Sequence, residues 1–80
     1  MTQSRLRWAC RRGLKELDEQ LLGYLETHYP AASPVEQACF ADWLTLSDPE
    51  LWARMSGRLP EDPVARDLVM KLRGLNDSLI

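Results

Sequence analysis

The stretch LKELDEQLLGYLETHYP, residues 14–30, places Leu14, Leu17, Leu21, Tyr24, Leu25 and His28 at intervals of three and four. That spacing lays one apolar stripe along a helix. Tyr29 and Pro30 end it, because the residue before proline is pushed out of the α region. Downstream, Ser33-Pro34-Val35-Glu36 has the form of a capping box with proline at the first helical position. A third helix should run from there to about Leu44, offering Val35, Cys39, Phe40, Trp43 and Leu44 to a core. A fourth begins at Ser47-Asp48-Pro49-Glu50, with Asp48 as N-cap, and ends near Gly57; its apolar members are Leu51, Trp52 and Met55. Pro60-Glu61-Asp62-Pro63 starts a fifth, which carries Val64, Leu68, Val69, Leu72 and Leu75, with Gly74 as its C-terminal cap. Upstream of the opening stretch, a short first helix covers Gln3 to about Cys10, with Leu6 and Ala9 or Cys10 inward. No segment reads as a strand hairpin. The expected fold is all-α, a compact bundle of five short helices forming one domain over residues 1–80.

A chain of 80 residues hides only about 60–65% of its unfolded surface, so its core must be economical. No apolar run approaches the ~20 residues of a membrane span, and no membrane insertion is expected. The net charge is −2, unevenly spread: Arg5, Arg7, Arg11, Arg12 and Lys15 give residues 1–15 a charge of +5, and the rest carries −7. Such asymmetry marks either a basic docking face or a targeting leader. The basic segment is short and runs directly into a well-patterned helix, which favours the docking face over a removed leader. Cys10 and Cys39 form neither a CxxC pair nor a metal-ligand cluster, and with one histidine in the chain a metal site is not expected. Both read as free thiols.

An enzyme is not indicated. The chain has no glycine-rich phosphate loop, no GxSxG, and no nucleophile with a base in support. His28 ends a helix, where a cation suits the dipole. Asp18/Glu19 and Glu61/Asp62 read as solvated charge.

The densest positive charge lies at Arg11 and Arg12, followed by Gly13 inside an apparently helical pattern. Arg12 and Glu16 are four apart and can pair along one face if a helix includes both. Such a surface pair contributes about 0.3–0.5 kcal/mol, whereas glycine in a helix interior costs about 1 kcal/mol relative to alanine. Gly13 therefore either breaks the chain into two helices or keeps a surface bare for a partner's backbone. Gly13→Arg is expected to be tolerated by the helix and to melt near wild type, since arginine has the higher helix propensity, while its long side chain blocks a partner's close approach. Trp8, three and four residues ahead of the two arginines, completes the composition of an interface hot spot. Glu16 and Asp18 would repel phosphates, so a protein partner fits better than nucleic acid.

Residues 8–18, WACRRGLKELD, resemble the RGxxE signature region of the succinate dehydrogenase flavinylation (assembly) factors, the SdhE-type family. Arg5, Phe40 and Asp48-Pro49-Glu50-Leu51-Trp52 extend the resemblance over roughly residues 5–55. It implies a helical assembly chaperone that binds the flavoprotein subunit of succinate dehydrogenase or fumarate reductase and promotes covalent attachment of FAD to that subunit. No cofactor would be bound stably by this chain. Carried onto the motif, the partner-binding residues are Arg12, Gly13 and Glu16, with Arg5, Trp8, Arg11 and Asp48 beside them. Arg54 departs from the resemblance, standing where many members have a second aromatic. Two other readings stay open: a regulatory protein binding nucleic acid or a toxin, and a structural subunit of a stable complex.

Overall fold

In the computed structural model, residues 3–74 are described, and among them are five α-helices and no strand. Helix α1 (Gln3–Ala9) is followed by a turn and by α2 (Lys15–Thr27). A single 3-10 turn at Tyr29–Ala31, not foreseen from the sequence, carries the Pro30 stop. Then come α3 (Pro34–Trp43), α4 (Asp48–Ser56) and α5 (Pro63–Leu72). Among the described residues no helix is long and apolar enough to cross a membrane.

The leucine stripe of α2 forms one wall of the core. Leu17, Leu21, Tyr24 and Leu25 are buried against Phe40 and Trp43 of α3, Leu51 and Met55 of α4, and Leu68, Val69 and Leu72 of α5. Leu6 and Cys10 close the core from α1. Three residues expected inside are instead at the surface: Leu14, Val35 and Trp52 are 49%, 62% and 38% exposed. Leu14 precedes α2 in extended conformation, Val35 lies in the first turn of α3, and Trp52 follows buried Leu51. Successive helix positions lie about 100° apart, so burying Leu51 turns Trp52 outward. Leu75 lies outside the described residues.

Two starting signals resolve differently from expectation. Ser33 does accept the Glu36 amide at 3.1 Å, but the Glu36 carboxylate, instead of completing a capping box, turns into the core. There it accepts the Tyr24 hydroxyl at 2.6 Å and the Lys71 ammonium at 3.1 Å to each oxygen. The reciprocal capping box forms at α4, between Ser47 and Glu50, so Ser47 rather than Asp48 is the N-cap. Asp48 is thereby released for another partner. At the end of α5, Gly74 adopts φ +69°, a left-handed conformation that terminates the helix.

Candidate functional site

The turn between α1 and α2 is built around Arg12 and Gly13. Cys10, fully buried, anchors its beginning. Burial pushes the Cys10 thiol up to about 11, against the opposing pull of the Arg12 and Arg7 charges; it is a packing residue, not a nucleophile. Gly13 then takes φ +84°, which side-chain-bearing L-residues adopt only at a cost. The glycine thus breaks the chain between two helices, the first of the two alternatives open at the sequence level. The helix does not include both Arg12 and Glu16, and the pairing envisaged between them is not made.

Arg12 is committed elsewhere. Its Nε donates to Ala9 O at 3.1 Å, its Nη1 to Leu46 O at 2.7 Å and to Asp48 Oδ1 at 3.0 Å, and its Nη2 to Leu44 O. Ala9 is the last residue of α1, Leu44 the C-cap of α3, and Asp48 the first residue of α4. Helix C-termini present carbonyls without intrahelical donors and a negative dipole end. One guanidinium, its side chain 12% exposed, satisfies both ends and pairs with an acid at the start of a third helix. That planar fork of donors is particular to arginine.

The backbone of the turn is held by Asp18, in the first turn of α2. Its Oδ1 accepts the Arg12 amide at 2.7 Å and its Oδ2 the Gly13 amide at 3.2 Å. Sequence reasoning assigned Asp18 to solvated charge; it is half-buried and fully used. The available signal was a short acid in a first helical turn, just after a glycine that frees backbone amides.

The remaining candidates face solvent. Trp8 is 78% exposed, and Arg5, Arg11 and Glu16 are exposed as well. Glu16 has no hydrogen-bond or ion-pair partner among the described residues. It borders an open apolar depression of about 370 Å³ lined by Leu14, Lys15, Glu16 and Leu17 on one side and Trp52 on the other. The structure therefore joins Arg12, Gly13 and Asp48 in one network and leaves Trp8, Arg11 and Glu16 outside it. Leu14 and Trp52 belong to the candidate surface and were missed because their hydrophobicity read as core.

This is a small helical fold with a hydrogen-bonded glycine turn beside an exposed apolar depression. A family model described as "Flavinator of succinate dehydrogenase" matches residues 4–76. The FAD assembly factor SdhE of Methylococcus capsulatus is 42% identical over 74 residues, covering 91% of this chain and 89% of that one. The proteins of the same name from Shewanella oneidensis (36% identical, 92% of each chain) and Haemophilus ducreyi (31%, 81% of this chain and 79% of that one) are also similar. No solved structure matches. The chain belongs to the family of succinate dehydrogenase flavinators, the FAD assembly factors.

Proposed function

We propose that this chain binds the flavoprotein subunit of succinate dehydrogenase, and that of fumarate reductase by the same surface, and promotes covalent attachment of FAD within that subunit. It acts as an assembly chaperone in the bacterial cytoplasm and carries out no bond-forming step itself. The observation that carries the reading is Glu16, an unpartnered carboxylate at the edge of an apolar depression. A charge left without a partner on a free monomer can make a charge-assisted contact once a partner excludes water. Arg5 and Trp8 of α1 and Arg11 of the following turn supply further exposed side chains, and Leu14 and Trp52 supply apolar area. Gly13, Arg12 and Asp48 shape the turn that presents it.

FAD stays with the flavoprotein in this reading. The Arg12 guanidinium and the Arg12 and Gly13 amides already have partners within the chain, which supports that reading for these donors. The factor then works by population shift. It favours a flavoprotein conformation in which FAD and the acceptor side chain stand in reactive geometry.

Glu16→Ala and Trp8→Ala test this. Both residues are exposed, and neither side chain makes a hydrogen bond or ion pair among the described residues, so each variant should stay within about 0.5 kcal/mol of wild-type stability. In cells lacking the native factor, neither should restore in-gel flavin fluorescence of the flavoprotein subunit. Full fluorescence from both folded variants at native expression would refute the docking surface.

A further inference from the structure

The depression beside Glu16 has two walls that belong to different helices: the start of α2, from Leu14 to Leu17, and Trp52 of α4. Among the described residues α4 packs chiefly against α5, and α2 against α1, α5 and the 3-10 turn. Leu17 and Leu21 of α2 and Leu51 and Met55 of α4 share one core, and a polar link adds a second tie, between the turn that starts α2 and the first turn of α4. Asp18, on α2, holds the Arg12–Gly13 backbone by both carboxylate oxygens. The backbone so held carries the Arg12 guanidinium, which reaches the turn after α3 at Leu44 O and Leu46 O and the start of α4 at Asp48. Asp48 and Trp52 are four residues apart on α4, neighbours on one helix face.

We propose that Asp18 is a positioning residue for docking: through Arg12 and Asp48 it sets the separation of the two walls, without touching the partner. This rests on the docking function proposed above. A positioning role explains why an acid lies directly beside the arginines of a basic segment, where it lowers the local positive charge. It also gives the motif arginine an internal task and leaves recognition to Glu16 and the apolar walls.

Asp18→Asn tests the inference, because asparagine keeps one acceptor oxygen and replaces the other by a donor. One of the two turn amides must lose its partner. In the full chain, amide hydrogen exchange followed by NMR should quicken at Arg12 or Gly13 by roughly tenfold, the change expected for one lost hydrogen bond. The indole N–H resonance of Trp52 should shift, although it lies on another helix. Affinity for the purified flavoprotein subunit of succinate dehydrogenase should fall by about tenfold or more. Asp67→Asn, the same charge change on the exposed face of α5, should alter none of the three. If Asp18→Asn melts too low to assay, Asp48→Asn serves instead and should shift the Trp52 indole while leaving the Gly13 amide protected. Unmoved turn amides and an unmoved Trp52 indole in a folded variant would overturn the positioning role even if docking holds. Conversely, shifted resonances in a chain whose wild type does not bind the flavoprotein would leave the link intact and refute the docking reading on which its purpose rests.

Discussion

Two of the polar networks that cross-link the helices are made of different materials. Around Arg12 a side chain meets backbone: three carbonyls and one carboxylate accept from a single guanidinium. Around Glu36 side chain meets side chain, with Tyr24 from α2 and Lys71 from α5 converging on a carboxylate of α3 that is 7% exposed. In both, every buried side-chain polar atom among the described residues has a partner. The difference lies in what remains when a member is removed. Carbonyls cannot be substituted away, so the Arg12 network has no apolar equivalent, whereas all three members of the Glu36 network can be exchanged together.

Arg12→Met should therefore have the largest effect on stability. Methionine keeps much of the length and apolar stem but strands the carbonyls of Ala9, Leu44 and Leu46, and water reaches them only in part. A loss of about 2–4 kcal/mol is expected from unsatisfied acceptors and one unpaired acid, read as a lower urea midpoint at unchanged slope. Arg12→Lys should recover only a fraction, because one ammonium cannot span the same acceptors. Equal stability of the lysine variant and wild type would break the comparison at its first step.

The Glu36 network should behave in the opposite way. Glu36→Ala leaves the Tyr24 hydroxyl buried without its acceptor and Lys71 without its acid, with an expected loss of about 2–3 kcal/mol. Lys71 is 24% exposed and can turn partly to water, which holds the loss below that of a fully buried pair. The triple substitution Glu36→Leu, Tyr24→Phe and Lys71→Met removes every polar member at once. It should return to within about 1 kcal/mol of wild type, since well-packed apolar replacements of buried ion pairs are often neutral or stabilising. A triple variant as unstable as Glu36→Ala alone would show that the two networks are equally irreplaceable.

What could be read in advance follows the same division. Leu17, Leu21, Leu25, Leu68 and Leu72 declare themselves by local spacing, and all five are buried. The starts at Pro34, Pro49 and Pro63 are equally local and lie in first turns. The networks are not local. Glu36 meets partners 12 and 35 residues away, and Arg12 reaches acceptors 32 to 36 residues away. Nothing in a window of one helix distinguishes a capping glutamate from one that turns inward. The same limit misplaced the cap of α4 by one residue: Ser47 and Asp48 can each cap, and in the fold Ser47 caps while Asp48 pairs with Arg12. For the candidate site, the Arg-Gly-x-x-Glu spacing pointed to the turn between α1 and α2, but not to the division of contacts within it.

Gly13 carries the smallest of these effects on stability and the sharpest test of the turn. A continuous helix would have made Gly13→Arg harmless; the observed φ of +84° makes any L-residue there strained. A Cβ added at this position meets nothing within 4 Å, so the cost is conformational, about 1–2 kcal/mol for a left-handed backbone. L-alanine and D-alanine separate conformation from bulk, because D-alanine favours positive φ and adds the same methyl. The chain can be assembled from synthetic segments joined at Cys39, which keeps the variant otherwise identical. Gly13→Ala with the L-residue should lower stability by about 1–2 kcal/mol and weaken the flavoprotein complex. The D-residue should match wild type or exceed it by a few tenths of a kcal/mol, since it also restricts the unfolded chain. With the turn restored and only a methyl added, the D-alanine chain should bind the flavoprotein about as well as wild type. A D-alanine chain of full stability that binds poorly would mean that glycine serves there for its bare surface as well as for its backbone.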